Sequence, residues 1–259
     1  VFGISFFGYL FSRFIFRNNT AQNTGDYTQF KATILNKIIH FINPNFEYLE
    51  YGHVDKHDIN NSGLFLPSNY KIDGNDQILG VHNGVPFQTC DLTIHHQSRL
   101  SSENSGPDEV FKGQYFMAKF HKTIATPIVI YSNISFLKSL AENEMESHLD
   151  NFENEVVLED PEFMKHFKIC CADQVAARYA LSTSMMERIK KLAMRNKGKL
   201  YIAIKDNQIV IANNNGIDKY EASLFTKMEK AWIDDIYQDL SEQLSIIDDL
   251  KLNMNIWKK

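Results

Sequence analysis

The pair Asn83-Gly84 constrains this chain more than any other feature. Both central residues of a type I′ turn need positive φ, so an Asn-Gly pair between apolar runs is a strong hairpin signal. QILGVH precedes the pair and VPFQTCDLTIHH comes after it. Around that hairpin, residues 70–131 read as an antiparallel β-meander. YKID leads through Gly74-Asn75 to QILGVH, and VPFQTCDLTIHH enters a polar loop at 97–109, QSRLSSENSGPDE. Two further strands, FKGQYFMAKF and TPIVIYS, come next, although Phe111, Tyr115 and Ala118 do not alternate cleanly. The chain has 259 residues, 44% of them hydrophobic, with 12 Gly and 6 Pro. That mix can bury a large core and excludes a disordered, collagen-like or multi-pass membrane chain.

Helices flank the meander. Asp26 to Phe41 places Phe30, Ile34, Ile38, Ile39 and Phe41 on one face before Asn43-Pro44 stops it. FEYLEY is a short strand, and a polar stretch runs from it through Ser68. Residues 142–162 hold nine acids and read as a solvated connection. HFKICCAD opens a second unit. There Asp173 caps a helix through Ala180, and Ser182 or Thr183 caps another to about Asn196. Glu187 falls close to a capping-box position. KLYIAI and QIVIA are expected to form a hairpin across Asp206-Asn207. Residues 221–250 then read as one long amphipathic helix, with Phe225, Met228, Trp232, Ile236, Leu240, Leu244, Ile247 and Leu250 along a single stripe. The class is α+β: a meander with flanking helices, a second small α/β half and the C-terminal helix. The expected units are 1–17, 24–141, 142–162 and 163–259.

VFGISFFGYLFSRFIF, residues 1–16, carries no charge before Arg13. It reads as the end of a transmembrane anchor, and Arg13 and Arg17 put the bulk of the chain in the cytoplasm under the positive-inside rule. Cys90, Cys170 and Cys171 agree with a reducing compartment. Their number is odd, and the adjacent pair on a strand would point to opposite faces. The expected partners are a membrane, through the N-terminal segment, and a protein at the C-terminal helix. A net charge of -5 argues against a nucleic-acid coat.

Catalytic signatures are missing. There is no G-x-G-x-x-G, P-loop, H-E-x-x-H, G-x-S-x-G, C-x-x-C or EF-hand loop. GHVDKHD would offer His53 and His57 to a metal if both lay on one helix, but neighbouring Gly and Asn point to a loop, and His95-His96 ends a strand. No cofactor or metal is expected. Glu159-Asp160 and Asp173 with Glu187 are paired carboxylates, and Arg178 is placed to meet Glu159 or Asp160 as a structural ion pair. General acid–base chemistry there would need a cleft and shifted pKa values. Arg188, Lys190, Lys191, Arg195, Lys197 and Lys199 form a basic cluster opposite Met185, Ile189 and Leu192. It reads as a solvated face or as a contact for anionic headgroups, where each cation contributes about 1 kcal/mol.

LEDPEFMKHFKIC and ADQVAARYALSTSMMERI, at 158–170 and 172–189, resemble a bacterial domain-of-unknown-function family, number 3137. The matching elements are Asp160-Pro161-Glu162-Phe163, Asp173, Ala177-Arg178-Tyr179, Leu181 and Met186-Glu187-Arg188-Ile189. SGLF at 62–65, DQILG at 76–80 and FKGQYF at 111–116 also look like the family. Cys170-Cys171 departs from its pattern. The resemblance implies one or two transmembrane helices before a cytoplasmic domain, supplies no activity, and points to Arg178 and Tyr179 as a shared ligand contact. The leading expectation is a membrane-anchored binding or scaffolding module. The alternatives are a small-ligand or metal-dependent enzyme around Arg178, Tyr179, Asp173, Glu159 and Asp160, and an anionic-lipid module using the basic face 188–199.

Overall fold

A single strand of 25 residues, β4 (Asp108–Ser132), is the axis of the sheet. The computed structural model describes residues 24–65, 70–96, 108–132, 154–196, 199–218, 220 and 230–253. The expected anchor, the loop at 97–107, the acidic residues 142–153 and the start of the last helix at 221–229 lie outside the described residues. β1 (Glu47–Leu49), β2 (Tyr70–His82), β3 (Val85–His96) and β4 pair antiparallel in chain order. β4 also pairs antiparallel with β5 (Phe167–Cys170) and β6 (Lys199–Asn214), so strands from both halves share one sheet. The helices are α1 (Thr24–Ile42), α2 (Lys56–Asn61), α3 (Pro161–His166), α4 (Gln174–Ala180), α5 (Thr183–Arg195) and α6 (Lys230–Asp249). Among the described residues, no helix is long and apolar enough to cross a membrane.

The Asn-Gly turn forms as its chemistry requires. Asn83 at φ 49° and Gly84 at φ 81° join β2 to β3, with His82 opposite Val85. β2 runs through Gly74-Asn75 with a bulge between Asn75 and Ile78, where Asp76 sits at φ 54°. Two expectations are corrected. FKGQYFMAKF and TPIVIYS are parts of the one strand β4. KLYIAI and QIVIA are likewise one strand, β6, and no hairpin forms across Asp206-Asn207. The signal there was sound locally, since Asp206 does adopt φ 53°. One left-handed residue kinks a strand as readily as it helps to reverse one, and β4 lies alongside to receive the kinked strand. The kink also shifts side-chain parity. Leu200, Ile202 and Ile204 share a face with Ile209 and Ile211, so an alternation count breaks at Asp206.

Both sheet faces are covered. On one, Ile34, Leu35, Ile38 and Ile39 of α1, Met185, Ile189 and Leu192 of α5, and Ile236, Leu240, Leu244 and Ile247 of α6 meet Phe116, Ala118, Phe120 and Ile130 of β4. The described part of the stripe predicted for the last helix, Ile236 to Leu250, therefore packs on the protein's own core. On the other face, Val54, Ile59, Leu64 and Phe65 cover Tyr115, Met117 and Val129. The supposed polar stretch before Ser68 thus contains α2, capped by Asp55, with Ile59 fully buried. One such side chain contributes about 2 kcal/mol. Cys170, the last residue of β5, and Cys171 just after it are buried thiols outside any disulfide, one in each face's core.

Gly113 marks the tightest approach in the sheet. At φ 152°, an added Cβ would lie 2.1 Å from the Asn213 carbonyl oxygen on β6, whereas at Gly84 nothing stands within 4 Å. Gly84→Ala should lower stability by about 1 kcal/mol through φ strain alone, and Gly113→Ala by clearly more, read as urea midpoints. Equal losses would show that β4 and β6 are not held at this distance.

Candidate functional site

The largest irregularity in the sheet builds a site. From Lys119 to Ile128, β4 advances nine residues while β6 advances four, from Gln208 back to Ile204. The excess residues of β4 bulge away from β6, which re-aims their side chains. Phe120, His121 and Lys122 there meet the turn between α4 and α5 and the C-terminal end of α6. Together they line a half-open cavity of about 320 Å³. Its polar lining is His121, Lys122, Ser182, Ser184, Arg188 and Lys251, with Phe120, Met185 and Leu250 among its apolar members.

Each cation is positioned by a local device. Arg188 donates through Nε to the Ser184 carbonyl at 3.0 Å and through an Nη to the Asp249 carbonyl at 2.9 Å, joining α5 to α6. Lys251 ends α6 in a Schellman arrangement: its N–H donates to the Asp248 carbonyl at 3.1 Å, and the Leu252 N–H to that of Ile247 at 2.9 Å. Glycine is the usual occupant of that left-handed position, yet here a lysine holds φ 51°. Lys122 donates to the Tyr179 carbonyl and lies 4.4 Å from the centre of the Tyr179 ring. Burial holds its ammonium below the usual lysine range. Burial, and then the Lys122 charge, hold His121 below the usual histidine range. Among the described residues, His121 Nδ1 is buried with no hydrogen-bond partner. Ser182 caps α5 by position: its side chain accepts no backbone N–H of the helix, and its Oγ meets that of Ser184 at 3.2 Å. The first turn of a 13-residue helix, with its partial positive charge, therefore borders the cavity without a side-chain cap.

The residues expected from sequence have other duties. Asp173 caps α4, its Oδ1 accepting from Val175 and Ala176 N–H at 2.9 and 3.0 Å. Asp160 caps α3 by accepting from the Phe163 N–H at 3.0 Å, which holds its carboxyl below the usual range, and it also meets Lys190 at 3.4 Å. Glu159 is exposed. Arg178 does not reach Glu159 or Asp160; it donates to the carbonyl and Oε1 of Gln174 and to the Val157 carbonyl, all at 3.2 Å. Tyr179 is half exposed beside Lys122. In the basic cluster, Lys190 pairs with Glu187 at 2.5 Å, Arg195 pairs with Asp249, and Lys191 is exposed. Glu187 thus meets Lys190. Lys197 lies outside the described residues and Lys199 opens β6. His53 precedes α2 and contacts the Val54 carbonyl, while His57 sits inside α2, so the two do not share a helix face. His95 stands on β3.

A second polar assembly lies in the interior. Lys31 on α1 meets Asp76 at 3.0 Å, the Tyr48 hydroxyl donates to Asp76, and Asn75 donates to Asp76 and Asp218 at 3.1 and 3.2 Å. Ligand atoms of Asp76, Asp91 and Asp218 lie within 4.8 Å of one another, a donor set that could hold a divalent cation. Burial keeps the Asp76 carboxyl above its ordinary range, and Asp218 adds to this, while Tyr48 and Lys31 pull the other way. Sequence showed only DQILG here, because the partners come from α1, β1, β3 and the segment after β6.

The family described as "Protein of unknown function (DUF3137)" matches residues 109–252. The chain belongs to this family. The match contains the whole lining of the cavity, and of the interior carboxylates it includes only Asp218. A crystal structure of the mycobacterial trehalose monomycolate transport factor A, TtfA, is similar to this chain at 11% identity and a TM-score of 0.37, covering 85% of this chain and 96% of that one. No curated protein matches.

Breaking a buried ion pair from one side leaves a charge in a low-dielectric interior. Asp76→Asn, which suits the left-handed backbone, should cost about 3 kcal/mol of unfolding free energy. Adding Lys31→Met should recover part of that loss. A strictly additive double mutant would show that the two groups are not coupled.

Proposed function

We propose that this chain is a binding module that takes an anionic group in the cavity between the β4 bulge, the first turn of α5 and the end of α6. The observation that carries this reading is the lining: among the described residues, one imidazole, three cationic side chains and two hydroxyls surround one space, with no carboxylate. Charges held together in this way repel one another, and an anion relieves that repulsion while replacing lost water. Lys251 supports the reading from another direction. A lysine in a backbone conformation that glycine adopts more cheaply is a local cost, which cation placement would offset. The leading expectation from sequence, a membrane-anchored module with its domain in the cytoplasm, fits the apolar segment 1–16 and its flanking arginines. For an enzyme around Arg178, no carboxylate among the described residues meets that guanidinium, so the binding reading is preferred.

Inorganic sulfate is a suitable probe because its charge is constant near neutral pH. Sulfate should raise the urea midpoint, and by mass action the gain reaches about 2.7 kcal/mol at a hundredfold excess over Kd. Lys122→Gln should abolish most of that gain. Lys251→Gly should lower sulfate affinity while raising intrinsic stability by about 1 kcal/mol, two changes of opposite sign. His121 is held low in the free protein, so it is neutral near pH 7 and gains a proton as pH falls. Its charge faces Lys122 from β4, Arg188 from α5 and Lys251 beyond α6. Sulfate should therefore bind more tightly at pH 5.5 than at pH 7.5, and His121→Asn should flatten that dependence. A midpoint indifferent to sulfate in the native chain would refute the proposal.

A further inference from the structure

The surface beside the cavity is apolar where solvent alone would favour charge. Val175 and Tyr179 stand one turn apart on α4, 77% and 50% exposed, and Val157 beside them is 65% exposed. Arg178 reaches across to the Val157 carbonyl and ties these residues into one patch. Lys122 over the Tyr179 ring joins the patch to the cavity. A tyrosine, two valines and two cations around an anion-sized recess match the chemistry of a membrane interface. Aromatic rings sit there at headgroup level, apolar side chains enter the acyl boundary, and cations meet lipid phosphates. A free anion would use the recess and leave the apolar patch without a role.

We infer that this corner docks on an anionic membrane surface, with Val157, Val175 and Tyr179 at the interface and a lipid phosphate in the cavity; this rests on the anion-binding reading above. The net charge of -5 sharpens the case. An acidic protein is repelled by an anionic surface except where a local cationic patch faces it, so attraction and orientation both come from this corner.

The test uses the full chain on phosphatidylcholine vesicles with and without phosphatidylglycerol, alongside sulfate binding in solution. Segment 1–16, with Arg13, contributes alike to the native chain and to its variants, so the quantity read is the change that a variant makes in the increment that phosphatidylglycerol adds to partitioning. Lys122→Gln should reduce that increment about fivefold, the equivalent of one interfacial cation. Val157→Ser with Val175→Ser, which leaves Tyr179 under Lys122, should weaken partitioning several-fold on anionic vesicles and leave sulfate binding unchanged. If sulfate binds but phosphatidylglycerol adds nothing, the docking inference falls, the cavity belongs to a soluble anion, and the binding reading survives. If neither sulfate nor phosphatidylglycerol has an effect, both fall. An increment that survives both variants reflects unspecific attraction and also overturns the inference.

Discussion

β4 holds the protein together by pairing with β3, β5 and β6, and it can do so only because its register is broken. Its first part lies between β3 and one end of β6, and its last part between β5 and the other end of β6. A straight strand of 25 residues would have to keep the same partner register along its whole length. The excess residues between Lys119 and Ile128 uncouple the two parts, and the kink at Asp206 lets β6 keep pace. The same break aims His121 and Lys122 toward the α4–α5 turn. Fold and candidate site thus depend on one interruption in hydrogen-bond register.

Much of the fold was legible because its signals were local. Asn83-Gly84 declared its turn, Asp173 and Ser182 declared their helix starts, and the period of Leu240, Leu244 and Ile247 declared a buried stripe. The errors fell where a local signal has two tertiary uses. Asp206-Asn207 has residues suited to left-handed backbone, and whether such a residue reverses a strand or bends it depends on the neighbour. That neighbour was invisible in sequence. The odd spacing of Phe111, Tyr115 and Ala118 has the same origin: Phe111 and Tyr115 face one core and Ala118 the other.

The site was less legible because its cations are scattered. Lys122 lay between two expected strands and Lys251 beyond an expected helix end, while the compact cluster 188–199 attracted attention. Of that cluster, Arg188 lines the cavity, and Lys190 and Arg195 form ion pairs with acids of the same chain. The interior assembly of Lys31, Tyr48 and Asp76 was hidden for a related reason. Its members are far apart in sequence, and each alone resembles an ordinary surface residue.

The central claim is that a cationic recess is held ready by the β4 bulge, and His121 reports on it directly. Its ring protons can be tracked through a pH titration by NMR, with and without sulfate. The account predicts a midpoint below the ordinary histidine value in the free protein and an upward shift when sulfate is present, with the other histidines unmoved. A His121 that titrates at the ordinary value and ignores sulfate would contradict it.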